Sequence, residues 1–118
     1  MSKKILICDD DEDILSICTY ILEELGWEVH TRMHCMNILD VVEKIQPQVI
    51  LMDNWIPGEG GIKATQAIKA VEKYKLIPII YFSANNDIKG LAKLAGADTY
   101  LAKPFDIEEL ERVIESVT

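Results

Sequence analysis

The sequence predicts a doubly wound α/β domain, a parallel sheet with helices on both faces. Two observations carry this. Short apolar runs alternate five times with stretches of helical periodicity. The runs are also nearly continuous in apolar residues, as expected of strands buried on both faces. The 118 residues suit one such domain, occupying 1–118, with no room for a second folded unit.

Lys4-Ile-Leu-Ile-Cys8 reads as the first strand and is followed by the acidic cluster Asp9 to Asp13. Ile14, Ile17, Cys18, Ile21, Leu22 and Leu25 then recur at helical spacing until Gly26 stops the helix. Its acidic first turn suits the positive end of the helix dipole. Trp27 to Thr31 is a short second strand, and Ile38, Leu39, Val42 and Ile45 mark a second helix closed before Pro47. Val49 to Met52 is the third strand, with Asp53 just past its end and a Pro57-Gly58 loop beyond.

A third helix is predicted from about Gly61 to Lys73, with Ala64, Ala67, Ile68 and Val71 inward. Pro78 to Phe82 forms a fourth strand ending at Ser83. Ile88, Leu91 and Leu94 give a helix stopped at Gly96, and Thr99 to Ala102 a brief fifth strand before Lys103-Pro104-Phe105. The last helix carries Ile107, Leu110, Ile114 and Val117 inward and Glu108, Glu109, Glu111, Arg112 and Glu115 outward.

Composition narrows the function classes. Twelve Lys plus Arg face 20 Asp plus Glu, a formal charge of −8, which argues against direct binding of nucleic acid or an anionic membrane. No apolar run approaches the roughly 20 residues of a membrane span, and the run after the first four residues is too short for a signal-peptide core. A cytoplasmic location is expected. The three cysteines lack metal or disulfide spacing: Cys8 and Cys18 read as buried thiols, and Cys35 as a more exposed residue without a role. His30 and His34 have no clustered partners, and Trp27 reads as packing.

Right-handed crossovers leave few strand orders. In the order 2-1-3-4-5 the switch point falls between strands one and three, where ligands of open α/β sheets collect. Asp9, Asp10 and Asp53 then converge on one rim, joined by Ser83 and Lys103. Three close carboxylates repel one another, and a divalent cation together with the Lys103 ammonium balances them. All-oxygen ligation suits Mg²⁺, with Mn²⁺ a plausible substitute. A carboxylate nucleophile accepts a phosphoryl group as an aspartyl phosphate when neighbours neutralise the transferring oxygens. Taken singly, each residue has an ordinary explanation: Asp11, Glu12 and Asp13 as a helix start, Ser83 as a loop hydroxyl, Tyr100 as packing. Their joint appearance on one rim is what points to phosphoryl acceptance.

The chain resembles a response-regulator receiver domain of two-component signalling over essentially its whole length. The matching features are Asp9-Asp10, Asp53 with Pro57-Gly58 and Gly61, Ser83-Ala84, Tyr100, and Lys103-Pro104-Phe105. The resemblance implies the flavodoxin-like (βα)5 fold with strand order 2-1-3-4-5. It implies Asp53 as phosphoacceptor, Asp10, Asp53 and the Trp55 backbone carbonyl as direct Mg²⁺ ligands, and Asp9 acting through a metal-bound water. It also implies that Lys103 pairs with the phosphoryl group and that its bond to Pro104 is cis. Ser83 and Tyr100 act as the switch. The implied phosphodonor is a histidine kinase or phosphotransfer protein. The face of helix four, strand five and helix five reports the state to a downstream protein or fused output domain, as a monomer or a phosphorylation-dependent dimer. No output domain is expected within this chain.

The chain departs from the family pattern at three positions. Trp55 is bulky where many relatives are smaller or polar, and it is expected to obstruct the water that removes the phosphoryl group. Asn85 could instead orient that water. Gly60 replaces an acid that commonly precedes the last glycine of the loop. Three rival readings are weaker. Asp9-Asp-Asp11 fits a dehalogenase-type phosphatase motif only superficially, since Asp13 stands where Thr or Val is wanted. A flavodoxin-like cofactor binder needs a phosphate-cradling loop after the first strand, and here that loop is acidic. A receiver-like module that is never phosphorylated does not explain the complete acid, serine and lysine set.

Overall fold

The computed structural model of the protein describes residues 3–118. Strands β1 (Lys3–Cys8), β2 (Trp27–Arg32), β3 (Val49–Asp53), β4 (Ile79–Ser83) and β5 (Thr99–Ala102) alternate with helices. These are α1 (Glu12–Glu24), α2 (Ile38–Ile45), α3 (Gly61–Lys69), α4 (Ile88–Ala95) and α5 (Ile107–Val117). Every strand pairing is parallel and the order is β2-β1-β3-β4-β5, one of the few that right-handed crossovers allow and the one the resemblance implies.

Strand alternation divides the interior into two apolar layers. Leu6, Cys8, Ile50, Met52, Ile79 and Tyr81 pack with Val42, Ile68, Ile88 and Ala92, so α2, α3 and α4 cover that face. Ile5, Ile7, Leu51, Ile80 and Phe82 pack with Leu15, Cys18, Leu22, Leu110 and Ile114 under α1 and α5. The starts of α1 and α5 are held by acids. Asp11 caps α1 by accepting from the Asp13 and Ile14 amides. Asp106 and Glu109 form a reciprocal capping box on α5.

Several local readings are corrected. α3 ends at Lys69, short of Lys73. Lys69 Nζ folds back to the carbonyls of Lys75 at 3.0 Å and Ile77 at 2.8 Å and to Asp98 at 2.7 Å, holding the following residues in turns over the buried Tyr74. The inward face of α1 is centred on Leu15, Cys18 and Leu22, and Ile17 is exposed. Two apolar stripes overlap on that helix, and periodicity alone cannot choose between them. On α4 the close-packed residues are Ile88, Ala92 and Ala95, while Leu94 faces out; Leu39 on α2 and Ile107 on α5 are exposed as well. Cys35 is buried, not exposed. Its amide donates to the Pro57 carbonyl at 2.9 Å and its thiol to the same oxygen at 3.3 Å, stitching the β2–α2 loop to the β3–α3 loop.

Two glycines make opposite predictions. A Cβ on Gly61 would stand 2.1 Å from the Asp53 carbonyl oxygen, a backbone atom that cannot yield. Gly61→Ala should therefore cost about 3 kcal/mol in urea unfolding, the upper range of overpacking penalties. The three atoms nearest a Cβ on Gly90 would all belong to the Asp87 carboxylate, which makes no capping bond and can rotate away. Gly90→Ala should stabilise the protein by up to about 1 kcal/mol, the helix-propensity difference.

Candidate functional site

The parallel order brings the C-terminal ends of β1, β3, β4 and β5 to one rim. Asp9 follows the last residue of β1 and Lys103 the last of β5, while Asp53 and Ser83 are themselves the final residues of β3 and β4. Asp53 thus sits inside its strand, one position deeper than the apolar run suggests. In register it lies beside Phe82, and Ser83 beside Ala102.

Lys103 is the hub. Its ammonium lies 2.7 Å from Asp9 Oδ2 and 2.9 Å from Asp53 Oδ1, and 4.5 Å from the centre of the Phe82 ring. Its amide donates to the Ser83 carbonyl at 2.9 Å, and the bond to Pro104 is cis. Asp9 and Asp53 are both buried, whereas Asp10 is exposed. The remaining oxygen of Asp9 is committed as well, accepting the Asp11 amide at 2.9 Å. Burial raises the Asp53 pKa, and the neighbouring charges of Asp9 and Asp10 push the same way against Lys103. For Lys103, burial works to lower the pKa, but its bonds to Asp9 and Asp53 outweigh that and the net shift is upward. The ammonium stays charged and Asp53 is a reluctant anion.

One oxygen from each of Asp9, Asp10 and Asp53 lies within 4.8 Å of the others. A single ammonium leaves this carboxylate cluster with excess negative charge. Hard oxygen donors, uncompensated charge and an open side at Asp10 fit a small divalent cation such as Mg²⁺.

The other expected residues fall around this centre. The Ser83 hydroxyl is buried and accepts the Asn85 amide at 3.0 Å. Tyr100 is 40% exposed and turned outward on β5. Trp55 is 77% exposed, and with Asn54, Asn85 and Leu91 it lines a cleft of about 640 Å³ beside Asp53. His30 pairs with Glu28 on β2. Sequence reasoning passed over one residue pair. The Tyr81 hydroxyl, deep on β4, donates to the side-chain oxygen of Asn54, next to Asp53. The available signal was a tyrosine in an otherwise apolar buried strand, since such a hydroxyl needs a partner.

Residues 5–115 match the family model of the response regulator receiver domain. The chain is 30% identical over 115 residues to sporulation initiation phosphotransferase F of Bacillus subtilis, covering 98% of this chain and 93% of that protein. Among solved structures it is similar to the chemotaxis response regulator CheY4 of Vibrio cholerae, with a TM-score of 0.91, 28% identity and 100% of both chains covered. It is also similar to the receiver domain of a sensor histidine kinase from Pseudomonas aeruginosa, whose structure has a magnesium ion coordinated in the active-site cleft. There the TM-score is 0.89 and the identity 30%, over 98% of this chain and 97% of the other.

The raised Asp53 pKa has a consequence for stability in the absence of metal. The folded state holds this proton more tightly than the unfolded chain. Its contribution to stability is therefore fully present below the ordinary carboxylate pKa and lost as pH rises through the folded value. Urea titrations across pH 3–8 should show Asp53→Asn gaining on the wild type as pH increases. Mg²⁺ at 100 times its dissociation constant should stabilise the wild type by about 2.7 kcal/mol and Asp53→Asn by far less.

Proposed function

Because the chain belongs to the response regulator receiver domain family, we propose that Asp53 is the carboxylate that accepts its phosphoryl group. The chain is a phosphoacceptor of two-component signalling, and receiver domains bind Mg²⁺ in their acidic pocket and exchange phosphoryl groups with histidine kinases or phosphotransfer proteins. One observation carries the assignment to Asp53. It is the buried carboxylate at a strand end that shares the Lys103 ammonium with Asp9 while Asp10 closes the cluster.

One Asp53 oxygen is held by Lys103, which leaves the second to attack phosphorus in line with the departing imidazole of a phosphohistidine. A new oxygen–phosphorus bond forms as the phosphorus–nitrogen bond breaks. Lys103 then shifts part of its charge to the phosphoryl oxygens, and the Ser83 hydroxyl turns from the Asn85 amide to donate to one of them. Tyr100, outward in this structure, moves into the space this vacates. Asp10, Asp53 and the Trp55 carbonyl are the direct metal ligands. Both oxygens of Asp9 already have partners, which supports its acting through a bound water. Bound there, Mg²⁺, or Mn²⁺ as a substitute, neutralises charge on the acceptor and the transferring group.

The 118 residues act as one receiver unit that catalyses only its own phosphorylation and dephosphorylation. Its output passes through α4, β5 and α5 to a separate protein or a fused output domain, as a monomer or a phosphorylation-dependent dimer. A cytoplasmic setting agrees with the absence, among the described residues, of any helix long and apolar enough to cross a membrane. The charge of −8 supports the reading that this chain itself makes no direct contact with nucleic acid.

Incubation with Mg²⁺ and acetyl phosphate should add one phosphoryl group to the wild type by intact mass and none to Asp53→Asn. Omitting Mg²⁺ should abolish the adduct. Trp55 stands two residues past Asp53 with a bulky, exposed indole that obstructs an attacking water, so Trp55→Asn should shorten the adduct's lifetime about tenfold, equivalent to about 1.4 kcal/mol of barrier. An unchanged decay rate would remove Trp55 from that role.

A further inference from the structure

We propose that Tyr81 and Asn54 form a positioning pair that fixes the direction of the Trp55 backbone carbonyl beside Asp53. The proposal deepens the reading above and rests on its assignment of that carbonyl as a metal ligand. Tyr81 is fully buried on β4, opposite Met52 in the register, with its ring in the layer beneath α2, α3 and α4. Its hydroxyl reaches up to the rim and donates to Asn54 Oδ1. A buried phenol left without an acceptor is costly, so this bond is demanded by the core as much as by the loop. Burial, reinforced by the nearby Asp53 charge, pushes the Tyr81 pKa up to about 12, so the hydroxyl remains a donor at physiological pH.

Asn54 is held a second time through its backbone, whose carbonyl accepts the Gly61 amide at 3.3 Å at the start of α3. On the other side of Trp55, Ile56 is buried in the same layer as Tyr81. Trp55 itself contributes little, since its indole lies mostly in solvent. Its carbonyl is therefore directed by what holds its two neighbours. Ile56 supplies packing, which resists displacement but is not directional. The Tyr81–Asn54 bond supplies direction. Losing it leaves the three carboxylates and Lys103 in place while the carbonyl donor beside them is no longer oriented. The signature of the pair is a change in metal affinity and local opening without a change in chemistry at saturation.

The test compares Tyr81→Phe, Asn54→Ala and the double variant in the full chain. Tyr81→Phe removes one oxygen and keeps the core filled, and a thermal melt checks that each variant is folded. Hydrogen exchange at the Trp55 and Ile56 amides is read by NMR without metal, Mg²⁺ affinity by calorimetry, and phosphorylation by acetyl phosphate at saturating Mg²⁺. Each single variant should speed exchange at those amides about tenfold. Each should also weaken Mg²⁺ binding about three- to tenfold and leave the saturated phosphorylation rate within about twofold. The double variant should match the single ones, since both break the same bond. Unchanged exchange or unchanged affinity in Tyr81→Phe overturns the proposal, as do additive effects in the double variant. Failure of the Asp53 assignment is separately visible, as wild type that takes no phosphoryl adduct, because the exchange measurement needs neither metal nor donor.

Discussion

The Lys103 ammonium between Asp9 and Asp53, at 2.7 and 2.9 Å, decides how the rest of the rim can be built. A buried carboxylate needs a counter-charge, and removing one partner of such a pair costs about 3–5 kcal/mol. The pair joins residues 50 and 94 positions apart in the chain, so it can form only once β1, β3 and β5 are in order. Yet the balance is incomplete. Lys103 cannot neutralise Asp9, Asp10 and Asp53 together, and burial holds the Asp53 pKa up. The site is built short of positive charge, which is the condition for taking up a cation and an electrophilic phosphoryl group. Stability and reactivity at this rim therefore draw on the same charges.

The surrounding backbone keeps that imbalance in place. Gly61 brings the start of α3 against the Asp53 carbonyl with no room for a side chain. Cys35 stitches the neighbouring loop to Pro57, and Gly58 lies so close that an added Cβ would stand 2.9 Å from the Cys35 sulfur. The Lys103 amide ties the end of β5 to the Ser83 carbonyl at the end of β4, so the charged residue and the buried hydroxyl residue share one hydrogen bond. Trp55, Asn85 and Tyr100 sit outside this framework with exposed side chains. The buried groups are held by this framework, and the exposed ones are not.

Much of this was legible in the sequence because crossover handedness leaves few strand orders, the family resemblance selects one, and that order gathers Asp9, Asp10, Asp53, Ser83 and Lys103. The cis bond before Pro104 came with the family resemblance. The misses have particular causes. Apolar residues on both Leu15 and Ile17 made two helix faces equally good, and only packing against the sheet chose between them. On α4, alanines did the burying that leucines were expected to do. α3 was read too long because Val71 continued its period, whereas the Lys69 bonds to Lys75 and Ile77 that end it connect residues no local pattern links. Cys35 and the Tyr81–Asn54 pair went unassigned for the same reason: their partners are distant in the chain.

The central claim concerns which carboxylate receives the phosphoryl group, since Asp9, Asp10 and Asp53 all reach one small volume. Reducing the phosphorylated protein with borohydride converts an acyl-phosphate aspartate to homoserine, and sequencing its peptides by mass spectrometry locates the change. Homoserine is expected at position 53 alone. Homoserine at position 9 or 10, or a phosphorylated protein with none at 53, would contradict it.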